Sequence, residues 1–262
     1  MSDAQDRPAS TIDEVIDRLD EVIGWAAAEK SRLGYFAALY RGVTVKVKEG
    51  IRSGAFEDGP RMERFDVIFA NRYLEAVRTY RAGNSPSRSW LFAFESAKEV
   101  RPVVLQHLLL GINAHINLDL GIAAAEVSGG SELKTLQADF FTINEILSAR
   151  VGVVRAQINR VSPLIPLLSR IDPAADRAAI NFSIRRAREQ AWTVAELLSY
   201  VPFSSWPSRI EVLDRTTTSL GRLVRNPPGW VLNTGLGLIK LFESHNIPYV
   251  IEVLRDIATD DV

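Results

Sequence analysis

The residues able to do chemistry concentrate in one apolar stretch. The string Gln106-His107-Leu-Leu-Leu-Gly111-Ile-Asn113-Ala-His115-Ile-Asn117-Leu-Asp119 holds two of the chain's three histidines and a single formal charge, Asp119. At about 100° per residue, His107, His115 and Asp119 fall within an arc of roughly 120°. Gln106, Asn113 and Asn117 fall in a second arc only about 40° wide. His115 and Asp119 are four apart and can share a partner on one face. That pairing suits two ligands of one divalent metal ion, or an imidazole steered by a carboxylate for acid–base work. It also suits a pair that satisfies itself and ties helices together. The amide arc fits the bland role better, because buried amides commonly tether neighbouring backbones. Gly111, on the histidine face, allows the close approach of another helix or of a ligand.

A second cluster lies upstream, in Asp66-Val-Ile-Phe-Ala-Asn71-Arg72-Tyr73. Asp66 and Tyr73 lie about 20° apart on a helix, so Asp66 is a candidate second carboxylate, while Asn71 and Tyr73 are candidate pocket residues. The competing reading of Asp66 is a first-turn carboxylate favoured by the helix dipole. Arg72 reads as one half of a solvated or interhelical ion pair. Further on, Arg185, Arg186 and Arg188 precede Trp192. They read as an anion pocket or, in better agreement with Glu189 and Glu196, as a solvated face. His245 sits at a helix end, where an imidazole interacts well with the dipole.

The elements that must position these groups are helical. Ser10-Thr11 with Glu14 resembles a capping box, followed by Ile12, Val15, Ile16, Leu19 and Ile23 at helical spacing. Further helices are expected over about 31–51, 62–80, 133–161 (as one or two), 172–200, 210–224, 229–243 and 247–257, with a short element over 89–97. Their boundaries carry Gly, Pro, Asn and Asp, as at Asp58-Gly59-Pro60, Gly129-Gly130 and Asn226-Pro227-Pro228. Asp172-Pro173 is a good cap and first-turn pair. The polar string belongs to one continuous helix from Val103 to about Val127. With one charge in that length it has no stripe that prefers bulk water, so it belongs at the middle of the fold. Asp66, Tyr73, Asn144 and Glu145 are the partners expected for its polar arcs. The expectation is an all-α domain of about ten helices over residues 11–258, behind a flexible tail over 1–10.

Composition bounds the rest. The 262 residues are 47% hydrophobic and 24% charged, with a net charge of −1, which excludes bulk disorder and gives no electrostatic footprint for nucleic acid. Cysteine is absent, so thiol catalysis, iron–sulfur clusters and cysteine zinc sites are excluded. The polar start has no signal or transit pattern, so the cytoplasm is the default location. The stretch from Val103 to Ala125 is long enough to span a bilayer, but two histidines and several amides would be costly against lipid, so no membrane span is expected. H-E-x-x-H, paired E-x-x-H, G-x-S-x-G and P-loop motifs are missing.

The strings Gly34-Tyr-Phe-Ala-Ala-Leu-Tyr40, Asp66 to Tyr73 and Gln106 to Ala125 resemble an uncharacterised bacterial family of the domain-of-unknown-function kind. The resemblance runs from about Leu33 to Trp192. It implies an unassigned function and transfers no catalytic residue. A looser similarity is to the helical zinc-dependent phospholipase C and nuclease superfamily, in which an H-x-x-x-D pair on a buried helix binds zinc. His115 and Asp119 match that pair. Three histidines cannot supply that superfamily's trinuclear site, so at most one metal with a mixed His/Asp shell is implied.

Three functions fit these residues. The leading one is an enzyme acting on a small molecule at His115, Asp119, Asp66 and His107, with Asn71, Tyr73, Asn113 and Asn117 in its pocket. The second is a binding protein that holds an apolar small molecule or lipid, with Phe69, Tyr73, Phe94, Phe140, Phe141 and Trp192 as lining. The third is a structural or interaction module, a homo-oligomer being one form of it, whose polar arcs only fix helix register.

Overall fold

A computed structural model describes residues 7–129, 132–167 and 184–256, the side chains of 148–151 aside. Within them the chain is all-α, with no strand. Its helices are α1 (Ile12–Ala28), α2 (Leu33–Arg52), α3 (Gly59–Arg81), α4 (Arg88–Lys98), α5 (Val104–Ser128), α6 (Leu133–Val161), α7 (Ile184–Ser199), α8 (Trp206–Arg225), α9 (Trp230–Phe242) and α10 (Ile247–Arg255). The expected start of α7 at Asp172-Pro173 lies outside the described residues.

The starts follow the local chemistry. At α1 the Thr11 hydroxyl accepts from the Glu14 N–H, while the Ser10 N–H and hydroxyl both donate to the Glu14 carboxylate. Asp58 caps α3 by accepting from the Arg61 N–H at 2.9 Å. Three further carboxylates, all buried, satisfy helix N-termini from a distance. Asp214 accepts from the N–H groups of Arg88 and Ser89, and Glu243 from that of Val104. Asp139 accepts from Glu57 and Asp58 and pairs with Arg61. Such long-range caps fix helices to one another as well as terminating them.

The assigned tail is partly docked. Ala9 is buried, and its backbone N–H and C=O both bond the side-chain amide of Asn71. Asn71 therefore anchors the chain start rather than lining a pocket.

The core forms two apolar clusters that share α5 as their axis. Val104, Leu108, Leu110 and Ala114 belong to the first, with α1, α2, α4 and α10. Residues Ile116 to Ala125 belong to the second, with the starts of α3 and α6 and with α7. This explains why α5 is apolar all round. It is long and apolar enough to cross a membrane by composition alone, yet 83% of that window is buried inside the fold, as in a core helix. Two glycines let neighbours approach its backbone. A Cβ on Gly111 would stand 2.5 Å from the Phe36 ring, and one on Gly121 would stand 2.5 Å from the Ala191 carbonyl. A left-handed Gly129 (φ 52°) ends the helix.

One feature of α5 is not expected from periodicity. His115 to Leu120 form a π-helical segment between the two α-helical parts. Its i→i+5 bonding breaks the 100° arithmetic between His115 and Asp119, and such segments recur at functional sites.

Candidate functional site

The two polar arcs of α5 meet different fates. On the amide arc, Gln106 donates to the carbonyls of Val224 and Arg225, and Asn113 donates to that of Thr217 at 2.9 Å. Asn117 donates to the Asn113 side-chain oxygen at 3.0 Å. Gln106 also accepts from the Val103 N–H. This arc rivets α5 to the backbone of α8, so Asn113 and Asn117 are tethers and not pocket groups.

Asp119 is also committed. Its Oδ1 accepts from Arg72 Nε at 2.9 Å and its Oδ2 from Trp90 Nε1 at 2.7 Å, while Arg72 reaches Glu126 at 3.4 Å. Burial raises the Asp119 carboxyl above its ordinary range, opposed by Arg72 and the Trp90 N–H. The expected partners Asp66, Tyr73, Asn144 and Glu145 are therefore replaced by Arg72 and Trp90. Asn144 Oδ1 and the Tyr73 hydroxyl have no partner, and Glu145 is exposed. The metal pairing of His115 with Asp119 is not assembled. Both carboxylate oxygens are occupied by protein donors, and no group of three or more His, Cys, Asp or Glu side chains gathers among the described residues. A metal shell needs deprotonated ligands converging on one point, and these do not converge.

His115 faces the other way. Its ring stacks on Phe69 with centroids 3.6 Å apart, and meets Tyr40 edge-on at 4.3 Å and Phe36 at 5.5 Å. Neither ring nitrogen has a hydrogen-bond partner. Burial, reinforced by the positive charges of Arg188 and Arg72, holds its basicity well below that of a free imidazole, so it stays neutral. His107 is also buried and is pushed by burial down to about 3, against an opposing contribution from the Pro102 carbonyl. It lines a void of about 20 Å3 together with Tyr73, Trp90, Phe94 and Gly111, room for a single water.

His115 lines something much larger. A cavity of about 500 Å3 lies between α2, α3, α5, α6 and the start of α7. Phe36, Leu39, Tyr40, Val43 and Val47 come from α2, and Phe65, Asp66 and Phe69 from α3. From α5 come Leu105, Leu109 and Ile112, spaced at i, i+4 and i+7 and only half-buried although they lie on the central helix. Ile143, Leu147, Val154, Arg155, Ile158 and Asn159 close it from α6, and Ile184 and Arg188 from α7.

Most of this wall is aliphatic or aromatic. Besides Tyr40 and the exposed Arg155, its polar exceptions share a property: Asp66 Oδ2, His115 Nδ1 and Nε2, Asn159 Oδ1 and Arg188 Nε are all buried without a hydrogen-bond partner. Buried polar atoms in folded proteins are overwhelmingly paired, so unpaired ones gathered round one void mark a place where water or a ligand completes them. Asp66 lacks the helix-start donors that satisfy Asp139, Asp214 and Glu243. Burial, with a contribution from nearby Glu63, pushes it up to about 7.

The structure thus separates the residues singled out by the sequence. Asp66 and His115 line the large cavity, His107 and Tyr73 the small void, and Asp119, Asn71, Asn113 and Asn117 are engaged in the fold. Of the six aromatics expected to line an apolar site, only Phe69 does so. Phe94 borders the small void, while Phe140 and Trp192 pack in the second core cluster. The main misreading is Arg188, for which the sequence favours the solvated face over the anion pocket. Arg185 and Arg186 are exposed, as expected of a solvated face, but Arg188 is 3% exposed. A signal was available, because Arg188 lies on the same helical face as Ala191, Trp192 and Ala195, all buried.

No curated protein and no solved structure matches this chain. A family model described as a family of unknown function, DUF5995, matches residues 12–227, which include every helix that lines the cavity. The chain belongs to that family.

Proposed function

We propose that this protein binds an apolar small molecule in the cavity between α2, α3, α5 and α6. The cavity itself carries the reading. At about 500 Å3 it has the size of small-molecule sites, a mostly hydrophobic wall, and a few polar groups set to orient a ligand. A protein core normally packs to the density of an organic crystal, and voids beyond a few waters are rare. Leaving this one empty would forfeit packing against some of the largest apolar side chains of the fold. The sequence-based preference for an enzyme built on His115 and Asp119 loses support, because these two residues address different surroundings. The structural-module reading accounts for the amide arc but not for the void.

The test uses dodecanol as a neutral apolar probe, with binding measured by calorimetry and by native mass spectrometry. Saturable one-to-one binding is expected, and Leu109→Trp, which places an indole in the cavity from the half-buried side of α5, should abolish it. Absence of binding to the wild type, or binding that Leu109→Trp leaves intact, would overturn the proposal.

A second reading is carried by Asp66 and His115 together. A carboxyl pushed up to about 7 by burial and a neutral imidazole both line this cavity with unpaired polar atoms, and each is a group able to move a proton on a bound molecule. Turnover of a bound ligand that disappears in Asp66→Asn with binding retained would favour it over plain binding.

A further inference from the structure

The cavity wall carries a buried cation whose needs the fold does not meet. Arg188 is buried on α7. One of its terminal nitrogens donates to the Phe140 carbonyl, and its guanidinium lies over the Phe140 ring, 4.5 Å from the centroid. Its Nε is buried and unbonded. Among the described residues no carboxylate stands within ion-pair distance of it, whereas Arg61 and Arg72, the comparable interhelical arginines, each have at least one. Burying a guanidinium without a counter-ion is among the costliest things a fold can do, and proteins that do so are commonly completed by an anion. A planar fork of donors is suited to a carboxylate or phosphate.

The rest of the lining agrees in sign. Its ionisable side chains besides tyrosine are Asp66, His115, Arg155 and Arg188. His115 is neutral, and burial favours the neutral carboxyl at Asp66, so the standing charge on the wall is positive. Burial also draws Arg188 down to about 9, which is the response of a cation that lacks a partner and still leaves it charged at neutral pH.

We propose that the ligand of this cavity is an amphiphilic anion, a single carboxylate on an apolar chain, with its head group held by Arg188 and its chain along Leu105, Leu109 and Ile112. This rests on the cavity being a ligand site, and it adds the class of ligand and the residue that selects it. The carboxylate would accept from the guanidinium, while the unbonded ring nitrogens of His115 line the same cavity.

The experiment compares dodecanoate, dodecanol and dodecylamine on the full-length protein at neutral pH, with dissociation constants from calorimetry. Dodecanoate should bind the wild type about tenfold or more tightly than dodecanol, because a charge-assisted pair replaces a solvated one in a dry site. Dodecylamine should bind most weakly. Arg188→Met, which removes an unpaired buried charge and keeps an apolar stem, should fold at least as well as the wild type by thermal melting. It should still bind dodecanol and lose the preference for dodecanoate. Arg188→Lys keeps the charge without the fork and should retain part of that preference. Equal affinities for the acid and the alcohol in the wild type would overturn the anion assignment while leaving the cavity reading intact. A preference that survives in Arg188→Met would do the same, and would leave Arg188 as a tether to Phe140 only. Binding of none of the three probes would overturn both.

Discussion

The two polar arcs of α5 differ in one respect that separates structure from function. Gln106, Asn113 and Asn117 spend their hydrogen bonds on the carbonyls of α8 and on each other. His115, buried on the same helix, makes none and borders the large cavity. A buried polar group that is satisfied needs no further explanation, because its cost has been met within the fold. One that is unsatisfied beside a cavity is destabilising unless something else completes it. The same contrast divides the buried carboxylates: Asp139, Asp214 and Glu243 cap helices, whereas Asp66 Oδ2 faces no donor.

The strongest way to break this division is at Asp119, which the sequence groups with the histidines and the structure assigns to the satisfied set. Asp119→Ala should destabilise the fold by about 2–4 kcal/mol in urea denaturation, since it strands the buried Trp90 N–H and takes from Arg72 the closer of its two carboxylates, leaving it Glu126 at 3.4 Å. A loss under about 1 kcal/mol would return Asp119 to the pool of functional candidates. Next in size is Asp66. Its folded-state value, about 7, lies above the unfolded 3.8, so the folded state holds the extra proton between these limits. Stability from this group is complete below about pH 3.8 and declines as pH rises through about 7. Asp66→Asn should therefore be more stable than the wild type above pH 8 by about 2–3 kcal/mol. The full linkage value is nearer 4, but the amide stays unpaired. The gain should vanish near pH 4; a gain independent of pH would show that burial does not set the Asp66 titration.

Much of the frame was legible in the sequence. The all-α class, the helix ends at Thr11 and Gly129 and the continuous burial of α5 follow from spacing, capping chemistry and the lack of charge in α5, all of which are local. What is not local came through only in part: the tethering role of the amide arc was legible, its partner helix was not. Whether Asn113 meets a carbonyl or a void depends on α8, about a hundred residues away, and one-dimensional arcs cannot see it. The π segment at His115–Leu120 adds a second failure, since it breaks the fixed rotation on which the His115–Asp119 pairing depended. Arg188 was hidden for a third reason: its neighbours Arg185 and Arg186 are solvated, and composition averaged over the run outweighed its position on the apolar face.

A more direct comparison takes one substitution from each arc. Asn113→Ala removes the bond to Thr217 and leaves the Asn117 amide without its acceptor, so about 1–2 kcal/mol should be lost in chemical denaturation. Ligand affinity should be unaffected, because Asn113 does not line the cavity. A change in affinity with unchanged stability would reverse the roles of the two arcs.

The smallest effect on stability is expected at His115. His115→Phe exchanges a neutral ring already stacked on Phe69 for an apolar ring, and the adjoining cavity accommodates the added volume. No protein hydrogen bond is lost, because neither nitrogen makes one. The change near pH 7 should then stay within about 0.5 kcal/mol. Acid separates the two proteins. The folded wild type keeps His115 neutral while the unfolded chain protonates it below about pH 6.5, so wild-type stability falls as pH falls through that value. The phenylalanine variant lacks this loss and should be ahead by about 1 kcal/mol near pH 5.5. Thermal melts at the two pH values read the difference directly. A variant that is destabilised by more than about 2 kcal/mol at neutral pH would mean that His115 holds the fold together through bonds absent from this geometry, and the contrast between the two arcs would fail at its central residue.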